Sequence, residues 1–388
     1  MQKLIERLSA AFSRQTLSTR YIPELDGLRC VAVAMVIFFH LNGYMMEKNG
    51  WATELPWLTP IFGNGYFGVE VFFVISGYII LLPFVPQPGV GRKRPDLLVF
   101  YVRRMVRIWP PYAIAMTIFL VSLSLRKGGI GQYLPGYFAS LGYLHNLLFG
   151  MPSRIVVVAW TLEIEVQFYL LAPLLAMVFL IKRKWLRWFV IGMAIAAASL
   201  LAFRFQLGRN VLLYLPYFLC GLLLADLSVS EGAIKRSVAA DLIALGLVLA
   251  LGWSVATQGA TGIWVPVLLM MTIAAVCHGT FLSRCLSHGW VRAVGGMCFS
   301  VYLLHYPVIA FVGPLAKKVG FSAMPLLVSY AAEGLILIGV VLAVSAGFFV
   351  FVEKPFMQRE TTDWVVARLR RLGGMGLGET RRTELAKS

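Results

Sequence analysis

Hydrophobic residues in this chain come in blocks rather than in alternation with polar ones. Ten blocks, at 28–46, 62–86, 108–125, 155–181, 186–203, 211–227, 238–256, 263–282, 297–315 and 327–352, are mainly apolar. Each approaches the roughly 20 residues that a helix needs to cross a bilayer. The pattern predicts an all-α integral membrane protein with about ten transmembrane helices. One further apolar stretch, 136–150, is too short to cross and is read as a re-entrant or interfacial piece. Near the start, Leu4, Ile5, Leu8, Ala11 and Phe12 fall at helical spacing with Lys3, Arg7 and Arg14 elsewhere. Residues 1–20 therefore predict a short amphipathic helix on the cytoplasmic surface, without the uninterrupted apolar run of a signal peptide. Residues 21–357 form the expected membrane domain. The segment 358–388 contains "RLRRLGGMGLGETRRTELAKS" and is expected to be a basic, partly disordered cytoplasmic tail.

Composition agrees with this pattern. Of 388 residues, 59% are hydrophobic and 14% charged, where a soluble domain is about a quarter charged. The mean hydropathy is +0.78. A net charge of +17 would suggest a nucleic-acid partner in a soluble protein. Here it follows from topology. With the N-terminus inside, "GRKRP" and "RRMVR" (basic residues between 92 and 107), "KRKWLR" (182–187) and the tail from Lys354 are all cytoplasmic. The outer connections 257–262 and 316–326 carry none and two Lys/Arg. This bias follows the positive-inside rule, places both termini in the cytoplasm and leaves no need for nucleic acid. Five scattered cysteines with no CxxC pair read as inert thiols rather than a disulfide frame. No clear repeat relates the two halves, which weakens a transporter reading.

Against that apolar background the ionisable residues stand out, because charges at membrane depth are costly and usually face a bundle interior or a cavity. In "DGLRCVAVAMVIFFHLNGY", Arg29 and His40 are eleven residues apart. At 100° per residue they share one helix face, separated by about 16 Å along the axis. Asp26, three residues before Arg29, is placed to hold the guanidinium. The plain alternatives are a snorkelling anchor for Arg29 and a packed, bonded side chain for His40. In "FYVRRMVRIWPPY", Arg104 and Arg107 are neighbours on one face, which suits capture of phosphate as well as a basic flank. "WTLEIEVQFYLLAPL" puts Glu163 and Glu165 inside a span on opposite sides, Glu165 sharing its face with Tyr169. A pore or proton relay would use such residues too. "GYFGVEVFFVISGY" adds Glu70 and Ser76, and "SVYLLHYPV" adds His305 in mid-span. The five histidines form no HExxH or close pair, so no metal is expected.

Taken in order, "YIPELDGLRCVAVAMVIFFH", "GYFGVEVFFVISGYII", "FYVRRMVRIWPPY", "WTLEIEVQFYLLAPL", "VYLLHYPV" and "FVEKPF" resemble the acyltransferase-3 family of integral membrane O-acyltransferases, from about Tyr21 to Phe356. The resemblance implies a multi-pass protein of the inner (cytoplasmic) membrane. It also implies transfer of an acyl group, commonly acetyl from acetyl-CoA, to a hydroxyl of a cell-surface glycan, lipooligosaccharide, macrolide or similar glycosylated acceptor. The family's R-x10-H motif falls on Arg29 and His40, its RxxR motif on Arg104 and Arg107, and its carboxylate on Glu165. The common "VEEQFY" form reads "IEVQFY" here, so Val166 replaces one carboxylate and Glu163 stands two residues earlier. Some members carry a further periplasmic hydrolase-like domain with its own serine; none is expected after the tenth span here.

The expectation is therefore an acyltransferase with no permanently bound cofactor and acyl-CoA as donor substrate. Its phosphates would be held by Arg104, Arg107 and Arg29. His40 would be the general base, or the carrier of an acyl intermediate, with Glu165 orienting it or binding the sugar. Glu163, Ser76, Glu70, Tyr169 and His305 are candidate substrate-binding residues. The rivals are a transporter or flippase for acyl groups or lipid-linked sugars, and a scaffold with a dead site.

Overall fold

The computed structural model describes residues 22–52, 54–86, 95–205, 208–231, 235–318 and 325–385. The amphipathic segment expected at 1–20 lies outside them. Among the described residues the chain is helical, with one isolated bridge between Ser237 and Gly279 and no strand. In chain order the helices are α1 (Pro23–Asn49), α2 (Leu58–Phe84), α3 (Leu97–Lys127), α4 (Leu134–Leu141), α5 (His145–Phe149), α6 (Val157–Leu180), α7 (Lys184–Phe205) and α8 (Val211–Glu231). They continue as α9 (Val238–Gln258), α10 (Val265–His278), α11 (Phe281–Leu286), α12 (Gly289–Gly296), α13 (Cys298–Lys318), α14 (Leu326–Phe356) and α15 (Arg359–Leu385). Nine of these are long and apolar enough to cross a membrane: α1, α2, α3, α6, α7, α8, α9, α13 and α14. The outward faces are apolar too. Leu242, Leu245, Leu249 and Trp253 are all exposed on α9, an arrangement that lipid rather than water accommodates.

The eighth of the ten predicted spans, 263–282, is shorter than expected. Its helix α10 has 14 residues, about 21 Å at 1.5 Å per residue. It nonetheless returns to the level where α9 began, because the Ser237 N–H donates to the His278 carbonyl at 2.9 Å.

Helix α1 is the hub. It packs against α2, α11, α12, α13 and α14. Its contact with α2 is backbone-close: a Cβ on Gly68 would fall 2.2 Å from the Ala32 carbonyl oxygen. At its start, Gly295 of α12 lies so near Asp26 that a Cβ there would meet its carbonyl oxygen at 1.7 Å. Small residues thus set the depth and rotation of α1, and with them the directions of Arg29 and His40.

The short apolar stretch after α3 forms a dip. Helix α4 runs back along α3, with the Tyr137 hydroxyl 2.8 Å from Thr117 Oγ1, the Tyr112 hydroxyl donating to the Ser140 carbonyl at 3.1 Å, and Trp109 Nε1 donating to the Leu141 carbonyl at 3.1 Å. Tyr143 turns the chain with a positive φ of 56° and stacks on Tyr112 at 5.1 Å. The stretch read as re-entrant or interfacial, 136–150, thus folds back against α3.

After α14, where partial disorder is expected, the chain forms helix α15. The physical reason lies in its first half: Val366 is buried, and Arg370 bonds Asp96 at 2.5 Å. The Val99 N–H and Arg370 together hold the exposed Asp96 carboxyl below its usual range.

Candidate active site

His40 sits three turns along α1 from Arg29, half-buried, with its ring edge toward Phe39 (5.0 Å) and Tyr306 (5.1 Å). Its Nδ1 lies 3.0 Å from the Val36 carbonyl and 3.1 Å from His305 Nε2. His305 is fully buried, and its own Nδ1 lies 2.6 Å from the Tyr302 carbonyl. A carbonyl only accepts, so both Nδ1 atoms carry protons. His305 Nε2 is then a bare acceptor, and the His40 Nδ1–H is shared between it and Val36. One atom is left over: His40 Nε2, whose lone pair meets no donor among the described residues. The backbone and a second imidazole fix this tautomer.

Sequence reasoning offered Glu165 as the group that orients His40. Its other expected role was binding the sugar, and its bonds go to hydroxyls rather than to His40. Tyr169 donates to its Oε1 at 2.7 Å and Ser76 at 3.3 Å. These three predicted residues are brought together by the phase of α6 and its contact with α2. The residue on His40 is His305, which sequence alone left as a general substrate-binding candidate.

At the other end of α1, Arg29 donates to Asp26 at 2.9 Å, and both are buried. Glu353 lies within electrostatic reach of Arg29 and Arg107, brought there by a π-helical turn at Phe349–Glu353 and held by the Ser300 N–H at 3.2 Å. Sequence reasoning missed Glu353, although its one signal was in view as the carboxylate of the closing "FVEKPF". Arg29 is thus matched by acidic neighbours and is a poorer phosphate ligand than expected. Arg104 stacks over Phe100 at 3.7 Å and donates to the Phe100 and Ile80 carbonyls at 3.1 and 3.4 Å. Arg107 enters no ion pair among the described residues and lies within reach of Tyr169 and Glu353. Arg104 and Arg107 form one cationic rim near Tyr169.

Glu163, a second substrate candidate, is corrected by its partners. Its carboxylate accepts from the Asn146 N–H at 2.8 Å, with the His145 and Leu147 N–H groups also directed at it. It caps α5 at the turn of the re-entrant segment, where uncapped N–H groups would face no water. Glu70 stays apart: buried, with Oε2 meeting no donor among the described residues. Nor do three His, Cys, Asp or Glu side chains gather as a metal-holding set among them.

The geometry combines a cationic rim, a membrane-depth carboxylate with hydroxyl partners, and a polarised imidazole with one open nitrogen. The sequence as a whole is also similar to known proteins. The chain is 26% identical over 341 residues to the peptidoglycan O-acetyltransferase OatA of Listeria monocytogenes, covering 77% of this chain and 51% of that protein. It is 27% identical over 329 residues to the O-acetyltransferase OatA of Staphylococcus aureus, covering 76% and 52%. The chain thus spans about half the length of the curated relatives it matches. No solved structure matches it. The acyltransferase-3 family model, an acyltransferase domain, matches residues 22–352, and the chain belongs to that family.

Proposed function

We propose that this chain is a membrane O-acyltransferase that moves an acyl group, acetyl in the first instance, from acyl-CoA to a hydroxyl of a sugar on a cell-surface glycan, lipooligosaccharide or similar glycosylated acceptor. The relatives named as O-acetyltransferases support the reaction class, and the name of the Listeria protein supports a glycan acceptor. The observation that carries the reading is the His40–His305 pair, which leaves His40 Nε2 bare.

In this reading acyl-CoA enters from the cytoplasmic side, at the Arg29 end of α1. Its phosphates meet Arg107 and Arg104, while Arg29, bonded to Asp26, secures the start of the helix. The pantetheine arm then runs the length that separates the rim from His40. His40 Nε2 takes the proton of the acceptor hydroxyl as its oxygen attacks the thioester carbonyl. The new C–O bond forms, the C–S bond breaks, and the proton passes from His40 to the departing CoA sulfur. While His40 is charged, His305 Nε2 accepts from its Nδ1–H and steadies it. Glu165, with Tyr169 and Ser76, lies near the cationic rim and holds substrate through those hydroxyls. The multi-pass helices support a membrane location, and the distribution of basic clusters supports both termini on the cytoplasmic side.

The test is transfer by purified protein from acetyl-CoA to defined glycans, read by mass spectrometry. His40→Ala should lower the rate by about 10²–10⁴, the usual contribution of a general base, with acetyl-CoA affinity preserved. Transfer at the normal rate by that variant would remove His40 from the chemistry. Movement of glycan without CoA release would turn the reading toward a transporter.

A further inference from the structure

Glu70 has no role in the steps above, yet it is costly to keep. It sits in α2 at 3% exposure with an orphaned Oε2. Buried polar groups are normally satisfied, and an exception at membrane depth points to a ligand that brings the missing donors. Four tyrosines, Tyr66, Tyr214, Tyr217 and Tyr302, lie within electrostatic reach of its carboxylate. Three of their hydroxyls are engaged: Tyr217 donates to the Ala260 carbonyl, Tyr66 bonds the Ala260 backbone, and Tyr302 accepts from Thr161 at 3.0 Å.

Aromatic side chains lead from Glu70 in two directions. Toward the histidine pair, Tyr66 meets Phe39 edge-on at 6.0 Å, Phe39 meets His40, and the Tyr302 ring lies 5.7 Å from His305. Away from it, Tyr214 faces Trp160 at 5.8 Å and 37°, and the Arg209 guanidinium lies 5.5 Å from the Trp160 ring. Tyr214 and Trp160 are half-buried and Arg209 is exposed. A row of groups therefore runs inward from an exposed cation, across two half-open aromatic faces, to a buried carboxyl with one orphaned oxygen and on to His40. A pyranose needs the same set: flat apolar faces for its C–H bonds and a fixed acceptor for its hydroxyls.

We propose that this row is the acceptor subsite. The sugar to be acylated donates hydroxyl hydrogen bonds to Glu70 while a neighbouring hydroxyl faces His40. The next sugar along the glycan stacks on Trp160 and Tyr214. The ligand is thus an oligosaccharide rather than a lone sugar, and the inference rests on the acyltransferase reading above.

The experiment uses the full chain in detergent, acetyl-CoA as donor, and N-acetylglucosamine oligomers of increasing length as probe. Glu70→Ala and Trp160→Ala are expected to raise the acceptor KM about tenfold or more, with acetyl-CoA binding unchanged and Glu70→Gln, which keeps an acceptor oxygen, less affected. Trp160→Phe should recover most of the loss, and the preference for longer oligomers should vanish in Trp160→Ala. An unchanged acceptor KM, or an equal effect on donor and acceptor, overturns the subsite. If the unaltered protein acylates none of the oligomers, the acyltransferase reading fails on its own account. Equilibrium binding of the same oligomers then decides the subsite separately. Weaker binding by Trp160→Ala upholds it, and equal binding overturns it.

Discussion

An imidazole held by another imidazole gains an acceptor without gaining a negative charge. His305 acts on His40 through one lone pair, and this gives a graded expectation. His305→Gln presents an amide oxygen to the His40 Nδ1–H and should retain a substantial part of kcat. His305→Ala should lose about 10–100-fold in kcat with the acetyl-CoA KM unchanged, since a positioning contact rather than substrate binding is removed. Equal damage by the two variants would make the site structural, because only the bond acceptor distinguishes them. How much of this was legible differs residue by residue. The common face of Arg29 and His40 follows from helix arithmetic within one segment. The pairing of His40 with His305 joins positions 265 residues apart, and no local spacing encodes it. Likewise, Glu163 and Glu165 must point to opposite sides of α6. Which side meets hydroxyls and which meets a helix N-terminus depends on neighbours that come from other segments.

At the scale of elements, the ten apolar blocks give the helices because lipid leaves the backbone no other partner than itself. What the blocks do not give is the backbone outside the spans. The segment α4–α5 folds back along α3, and Glu163 satisfies the N–H groups at its turn. Glu163→Gln keeps an acceptor oxygen for the Asn146 N–H, whereas Glu163→Ala removes it at a cost of about 1 kcal/mol for a lost cap. Thermal unfolding in detergent should show a lower midpoint for Glu163→Ala than for Glu163→Gln. If the two variants unfold together, the carboxylate has another purpose. The contact of α1 with α2 is tested in the same way. Gly68→Ala drives a methyl group into the Ala32 carbonyl, and overpacking of this kind costs about 1–3 kcal/mol. Since α1 carries both Arg29 and His40, the shifted helix should lose transfer activity even where protein still accumulates in the membrane.

For the molecule as a whole, the count of crossings decides where the acyl donor enters. Nine long spans alone would put the two ends of the membrane domain on opposite faces. The short α10, whose last residue bonds back to the residue that precedes α9, would make the number even if counted as a crossing. Its hydrocarbon-facing length of about 21 Å falls short of the roughly 30 Å core. The exposed rings of Trp264 and Phe281 at its two ends fit the anchoring that a short span needs. Ten crossings with the basic clusters inside would put α11 on the cytoplasmic side beside the start of α1, where Ser283 bonds Glu24 at 2.5 Å. That helix carries Cys285, the one exposed cysteine of the five. A membrane-impermeant maleimide should therefore modify the protein in inside-out vesicles and leave it unmodified in intact cells, and Cys285→Ser should abolish the labelling. Modification from outside intact cells would place the Arg104–Arg107 rim on the face where no acyl-CoA is made, and the direction of transfer argued above would have to be reversed.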